Sequence, residues 1–143
     1  MTAADTSEGL LDTSVVIHFE RVRDPSHLPA VPAISAITLA ELSVGPLTAA
    51  TPGEAAVRQM RLQEAETTYD PIPFDAFAAR VFGVVSAGLR QSGRTTTSRR
   101  FDALIAATAI AYGLPLYTMN PDDFAGIEGL DVRAVPHPDH DAP

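Results

Sequence analysis

The stretch FDALIAATAIAYGLPLYTMNPDDF, residues 101–124, decides the fold class. Apolar side chains recur at helical spacing from Phe101 to Tyr112, and Gly113 marks the end of that helix. The apolar run 116–119 then predicts a strand, and Asn120 followed by Pro121 predicts the cap and first turn of a short helix. A helix, a strand and a second helix in immediate succession are typical of a parallel α/β sheet.

The same alternation extends outward from this stretch. Further strand candidates are the runs 9–11, 33–37, 69–74 and 130–135, and the intervening segments carry helical spacing or helix caps. Prolines interrupt the run 69–74, which predicts an edge position for it. The sequence therefore predicts the α/β class, a parallel sheet with helices on both faces, in a single domain over 1–143 with an ordered core at about 8–136.

Composition limits the chemistry of this domain. The 143 residues include no Cys, which excludes thiolate nucleophiles, Cys-ligated metals and disulfides. The ten basic residues are all Arg, so Schiff-base and P-loop lysine chemistry are excluded too. The formal net charge of −8 argues against a general nucleic-acid binder, unless carboxylates surround bound cations. No apolar run approaches the ~18 residues of a membrane span, and residues 1–9 lack signal-peptide features, which predicts a cytoplasmic protein without a membrane partner.

Four acids occupy equivalent places in the alternation. Asp12, Glu41 and Asp123 follow strand candidates, and Asp102 heads the helix after an Arg-rich loop. Because the carboxyl ends of parallel strands line the ligand crevice, we expect these side chains to converge. Each acid alone also fits a structural role, since helix N-termini favour carboxylates; Thr38 with Glu41, for example, matches a capping box.

Apolar neighbours around Asp12 and Glu41 favour a shared cation, because a buried carboxylate needs a partner. Carboxylates gathered without His or Cys select hard cations, Mg²⁺ with Mn²⁺ as a substitute. Such cations activate water and offset charge on a leaving oxygen, so phosphodiester hydrolysis needs no protein nucleophile.

Four segments carry a resemblance to a known family: LLDTSVVI (10–17), ITLAELSVG (37–45), residues 101–124 and GLDVRAV (129–135). In order and spacing they resemble the PIN-domain toxins of VapBC toxin-antitoxin systems, over about nine tenths of the chain. The resemblance implies a five-stranded parallel sheet, a homodimer, an Mg²⁺-dependent endoribonuclease acting on RNA, and inhibition by a cognate VapB-like antitoxin.

The resemblance also assigns site residues. The family's acids fall on Asp12, Glu41, Asp102 and Asp123 as catalytic residues and metal ligands, although Asp122 leaves the fourth acid ambiguous. Polar support is expected from Thr13, Ser14, Thr118 and Asn120. An RNA-binding role for the loop arginines Arg94, Arg99 and Arg100 follows from their charge beside Asp102 and is as well explained by a solvated loop.

Two other functions remain open from the sequence. A phosphatase-like aspartate enzyme would use Asp12, but it calls for a second Asp where Ser14 stands and for a lysine. A non-catalytic protein-binding α/β domain would use the acids only as helix caps and would bind no Mn²⁺.

Overall fold

A parallel four-stranded sheet lies at the centre of the computed structural model, which describes residues 7–93 and 99–139. The strands β1 (Glu8–Leu11), β2 (Val31–Ala33), β3 (Leu116–Thr118) and β4 (Val132–Ala134) adopt the order β2-β1-β3-β4. Leu10 pairs with both Ala33 and Leu116, so β1 and β3 are the central strands. The predicted parallel α/β sheet is confirmed.

The prediction of five strands is wrong for the described residues, in which the sheet has four. The segment 69–74 contributes an isolated parallel bridge between Ser35 and Ile72. Ile72 donates its N–H to the carbonyl of Ile34 at 2.9 Å and accepts from the N–H of Ala36 at 2.8 Å. Pro71 and Pro73 have no N–H to donate, which stops the ladder on either side of Ile72.

Five α-helices surround the sheet in the described part of the chain. They are α1 (Thr13–Ile17), α2 (Ala36–Val44), α3 (Pro52–Thr68), α4 (Ala76–Gln91) and α5 (Arg100–Ala111). Alternate residues of the strands point to opposite faces. Leu11 and Tyr117 pack in one core cluster with Val15 of α1 and Ala65 of α3, whereas Leu10 and Leu116 pack in another with Ile105 of α5. Helices therefore cover both faces, as predicted.

Side-chain caps set where most of these helices begin. Asp12, Ser35, Thr51 and Asp75 each accept a hydrogen bond from the backbone N–H three residues later. The capping box predicted for Thr38 and Glu41 is wrong, because Ser35 caps α2 and the helix begins at Ala36. Glu41 consequently lies in the second turn of α2, one turn beyond the fully buried Thr38.

The segment after β4 returns to the end of α1. The ring of His137 packs edge-on against His18 with centroids 4.8 Å apart, and Arg21 forms an ion pair with Asp139. No helix in residues 7–93 or 99–139 combines the length and the apolar character needed to cross a bilayer.

Candidate active site

The candidate site lies where the two central strands end. Asp12 directly follows β1, and Thr118 is the last residue of β3. The N–H of Asp12 donates to the carbonyl of Tyr117 at 3.0 Å, so the sheet ladder itself fixes the backbone of Asp12 beside Thr118. Parallel pairing thus brings together two positions that are more than a hundred residues apart in the chain.

Asp12 is the most enclosed of the four acids, with 5% of its surface exposed. Its Oδ1 accepts from the hydroxyl of Ser14 at 2.6 Å and from the N–H of Val15 at 3.1 Å, and its Oδ2 accepts from the hydroxyl of Thr118. Burial raises the pKa of Asp12, and these hydrogen bonds act against that rise. Donors on both oxygens hold the carboxylate in one orientation.

Glu41 is held in place by the hydroxyl of Thr13, which also lies beside the hydroxyl of Thr38. The hydroxyl of Thr13 donates to Oε1 of Glu41 at 2.5 Å and lies 3.1 Å from the hydroxyl of Thr38. Burial raises the pKa of Glu41, and the nearby charge of Asp12 adds to that rise. The second turn of α2 therefore presents its carboxylate to the first turn of α1.

Asp102 shows that the four carboxylates share one electrostatic environment. It lies in the first turn of α5, and its pKa is raised from 3.8 to about 6, first by burial and then by the charges of Asp123, Asp12 and Glu41. Arg99 opposes this rise. A raised carboxyl pKa with three like charges as contributing causes indicates a site in which added positive charge is stabilising.

Asp123 lies in a 3-10 turn, Pro121–Phe124, that follows β3. Its Oδ1 accepts from the Arg99 guanidinium in an ion pair, and both side chains are 37% exposed. The adjacent Asp122 is more exposed, and after burial the charge of Asp123 contributes most to the raised pKa of Asp102. The electrostatic environment therefore favours Asp123 over Asp122 as the fourth acid of the group.

The predicted polar supporting residues and the three predicted RNA-binding arginines differ in how they contact the acids. Thr13, Ser14 and Thr118 donate hydroxyl hydrogen bonds to the acids. Asn120 contributes through its backbone, whose N–H donates to the Thr118 hydroxyl at 2.9 Å, and the N–H of Met119 donates to the Ser14 hydroxyl at 3.2 Å. Of the three arginines, Arg99 contacts an acid, Arg100 is exposed at the start of α5, and Arg94 lies outside the described residues.

Sequence reasoning missed two functional features. The position of Thr38 one turn before Glu41 was readable from the spacing, but its hydrogen-bonding with Thr13 depends on how α1 packs on α2. The pairing of Arg99 with Asp123 joins residues 24 positions apart and left no local signal.

The donor set fits a hard divalent cation, because it consists of carboxylate and hydroxyl oxygens around a carboxyl with a raised pKa. Within the described ranges, no three His, Asp or Glu side chains are already gathered closely enough to hold a metal ion. Asp123 is instead engaged by Arg99. Binding of a cation would therefore require the carboxylates to move inward.

The parallel α/β fold is that of a PIN domain. The chain belongs to this family, since the PIN domain model matches residues 9–130. It is 41% identical to ribonuclease VapC5 of Mycobacterium tuberculosis over 125 residues, which cover 85% of this chain and 88% of the relative. It is 31% identical to ribonuclease VapC4 of the same organism over 128 residues, 88% of this chain and 95% of the relative.

Solved structures show the same relationship. A crystal structure of VapBC-5 from M. tuberculosis, described as a member of the VapBC family of toxin-antitoxin systems, superposes with a TM-score of 0.77. The sequence identity is 36%, and the match covers 92% of this chain and 100% of the other. The family resemblance inferred from the sequence is thereby confirmed.

Proposed function

We propose that this chain is the ribonuclease toxin of a type II toxin-antitoxin system and that it acts in the cytoplasm by hydrolysing RNA phosphodiester bonds with Mg²⁺. The observation that carries this proposal is the placement of Asp12 at the ends of β1 and β3, where Ser14, Val15 and Thr118 donate to its carboxylate, and the charges of Asp12, Glu41 and Asp123 on Asp102 support it. The names of its relatives, ribonucleases VapC5 and VapC4, support the same activity.

Asp12, Asp102 and Asp123 would hold the cation together with Glu41. A bound Mg²⁺ supplies Lewis acidity, which lowers the pKa of an attacking water and offsets charge on the leaving oxygen. Asp12 is held in one orientation by Ser14, Val15 and Thr118. Such preorganisation avoids the cost of orienting a ligand during the reaction.

We assign the proton of the attacking water to Glu41. Thr13 donates to Oε1 of this residue, and we place the accepted proton on the other oxygen, Oε2. Burial and the charge of Asp12 raise the pKa of Glu41, which makes it a better base than a solvated glutamate. Water is the nucleophile in this scheme, in keeping with a sequence that has neither Cys nor Lys.

A non-catalytic protein-binding domain is the second candidate, and one observation favours it. Asp12 does cap α1, because its Oδ1 accepts from the N–H of Val15. A cap alone does not explain why Thr118, at the end of a neighbouring strand, also donates to this carboxylate. The phosphatase-like alternative is weaker still. It calls for a second Asp at position 14, where the hydroxyl of Ser14 instead donates a hydrogen bond to Asp12.

We further propose that a cognate VapB-like antitoxin inhibits the site by placing a basic side chain among the acids. The Arg99–Asp123 pair shows that a guanidinium fits there. A homodimer is also proposed, and Phe77 and Val84, which are 57% and 74% exposed on α4, offer an apolar surface for it.

The function is tested by inducing wild type and Asp12→Asn in a bacterial host. We expect growth arrest and RNA fragments with wild type and neither with the variant, because the substitution removes a charge at nearly constant volume. Asp24→Asn is the matched control, since Asp24 also caps a helical turn but does not belong to the acid group. Co-expression of the product of the adjacent gene should restore growth. Arrest that persists in Asp12→Asn, or that is lost equally in Asp24→Asn, would contradict the proposal.

A further inference from the structure

A basic side chain of this chain already lies among the acids. Arg99 immediately precedes α5, where its own side chain makes no capping hydrogen bond, and its guanidinium donates instead to Oδ1 of Asp123. The same guanidinium acts on Asp102, whose carboxyl it stabilises in the charged form. Arg99 thus touches one acid of the group and electrostatically influences a second.

We propose that Arg99 is a built-in counter-ion that competes with the divalent cation for Asp123. In the metal-free protein it neutralises part of the acid group, and it must release Asp123 when the cation binds. This inference rests on the proposed function, because it takes the acids to be the metal site. It adds a regulatory role for a residue that touches no reacting atom.

Electrostatics explains why the pair is stable and also reversible. Four carboxylates in one environment repel one another, and a single guanidinium relieves part of that repulsion. Both partners are 37% exposed, so solvent screens the pair and its strength is modest. A divalent cation carries twice the charge and reaches several carboxylates at once. We therefore expect it to displace Arg99 from Asp123.

The consequence is a lower apparent affinity for the metal ion. While Arg99 holds Asp123, the cation must compete with it for that ligand, so its apparent affinity is lower than the acids alone would give. Arg100 provides a matched comparison, since it carries the same charge at the next position but does not pair with Asp123 in the described structure. Any difference between the two positions isolates direct pairing from general electrostatics.

The experiment is an isothermal titration of Mn²⁺ into purified, metal-free wild type, Arg99→Gln and Arg100→Gln, without RNA. We expect Arg99→Gln to bind Mn²⁺ about two- to fivefold more tightly than Arg100→Gln, the range expected for removing a solvent-screened ion pair. Thermal melts give a second readout. In EDTA, Arg99→Gln should melt below Arg100→Gln, and saturating Mn²⁺ should raise its melting temperature more.

Equal affinities of the two variants would overturn the inference. Weaker binding by Arg99→Gln would overturn it as well, since Arg99 would then orient Asp123 for the cation. If Arg99→Gln does not fold, Arg99→Lys replaces it. Tighter Mn²⁺ binding by Arg99→Lys than by wild type would support competition, and equal or weaker binding would overturn the inference. Absence of Mn²⁺ binding by wild type would overturn the proposed metal site along with the inference, whereas normal wild-type binding with unchanged variants would overturn the inference alone.

Discussion

Asp12 has two roles that the sequence presents as alternatives. It caps α1 through the N–H of Val15, and it also accepts hydrogen bonds from the hydroxyls of Ser14 and Thr118. The cap fixes the carboxylate at the end of β1. The observed cap of Asp12 is therefore compatible with its proposed role as a metal ligand, and it does not argue against that role.

The ionised carboxyl of Asp102 lowers the stability of the folded protein. Its pKa rises from 3.8 to about 6 on folding, so protonation stabilises the native state. Below about pH 4 the carboxyl is protonated in both states and costs nothing, and the cost grows until about pH 6, above which it stays constant. The native state should therefore lose stability between these two pH values as pH rises.

We predict from this that Asp102→Asn raises the free energy of unfolding by about 1 kcal/mol at pH 7.5 in EDTA, a value discounted for solvent screening. The gain should shrink toward pH 4. Urea unfolding of both proteins across that range measures it. A destabilised variant at pH 7.5 would show that Asp102 is structural, as an acid in the first turn of α5 can be.

The positions of Asp12 after β1 and of Asp102 in the first turn of α5 were predictable from the residues, whereas Glu41 lies in the second turn of α2 and not at the helix start. The partners of the acids were not predictable. Local spacing gives neither the contact of Thr13 with Thr38 nor the pairing of Arg99 with Asp123, since both depend on the distance between elements after packing.

The prolines around Ile72 show how one residue type alters an element. The apolar content of 69–74 favours a strand, and the structure keeps a bridge at the single position that retains an N–H between two prolines. The sequence predicted an edge position for this segment. It would have excluded a full strand only if the missing backbone N–H groups of the two prolines had been counted. The early start of α2 has a similar cause, because Ser35 displaces Thr38 as the cap.

A groove between α1 and α3 borders the helix that Asp12 caps. It is lined by apolar side chains, including Ile17, Val57 and Met60, together with the charged Arg61 and Glu64. Met60 is 61% exposed and Val57 55%, an unusual position for large apolar residues. An amphipathic helix of the proposed antitoxin would cover this surface and direct a basic residue toward the acids.

We predict that Met60→Glu weakens the complex with the antitoxin at least tenfold, because it places a charge in the apolar groove. The matched control is Gln63→Glu, which adds the same charge to an exposed position of α3 outside the groove lining. Calorimetric titration of the antitoxin into each variant measures the effect. Equal losses in both variants would place the antitoxin elsewhere.

At the scale of the whole molecule, the acids of the candidate site account for part of the net charge of −8. Asp12, Glu41 and Asp123 all act on the carboxyl of Asp102, and a cation bound among these four acids would offset part of their charge. The remaining negative surface steers a basic antitoxin more readily than RNA. Composition alone argued against a nuclease because it cannot show which charges are gathered.

Cleavage of RNA by the purified chain tests the central claim most directly. A single RNA substrate is incubated with wild type, Asp12→Asn and Asp24→Asn at equal concentration, in Mg²⁺ or in EDTA. The account predicts that wild type and Asp24→Asn cleave the substrate in Mg²⁺, that EDTA abolishes this cleavage, and that Asp12→Asn is at least a hundredfold slower, as expected when a catalytic electrostatic group is removed. Cleavage that persists in EDTA, or Asp12→Asn cleaving as fast as wild type, would contradict it.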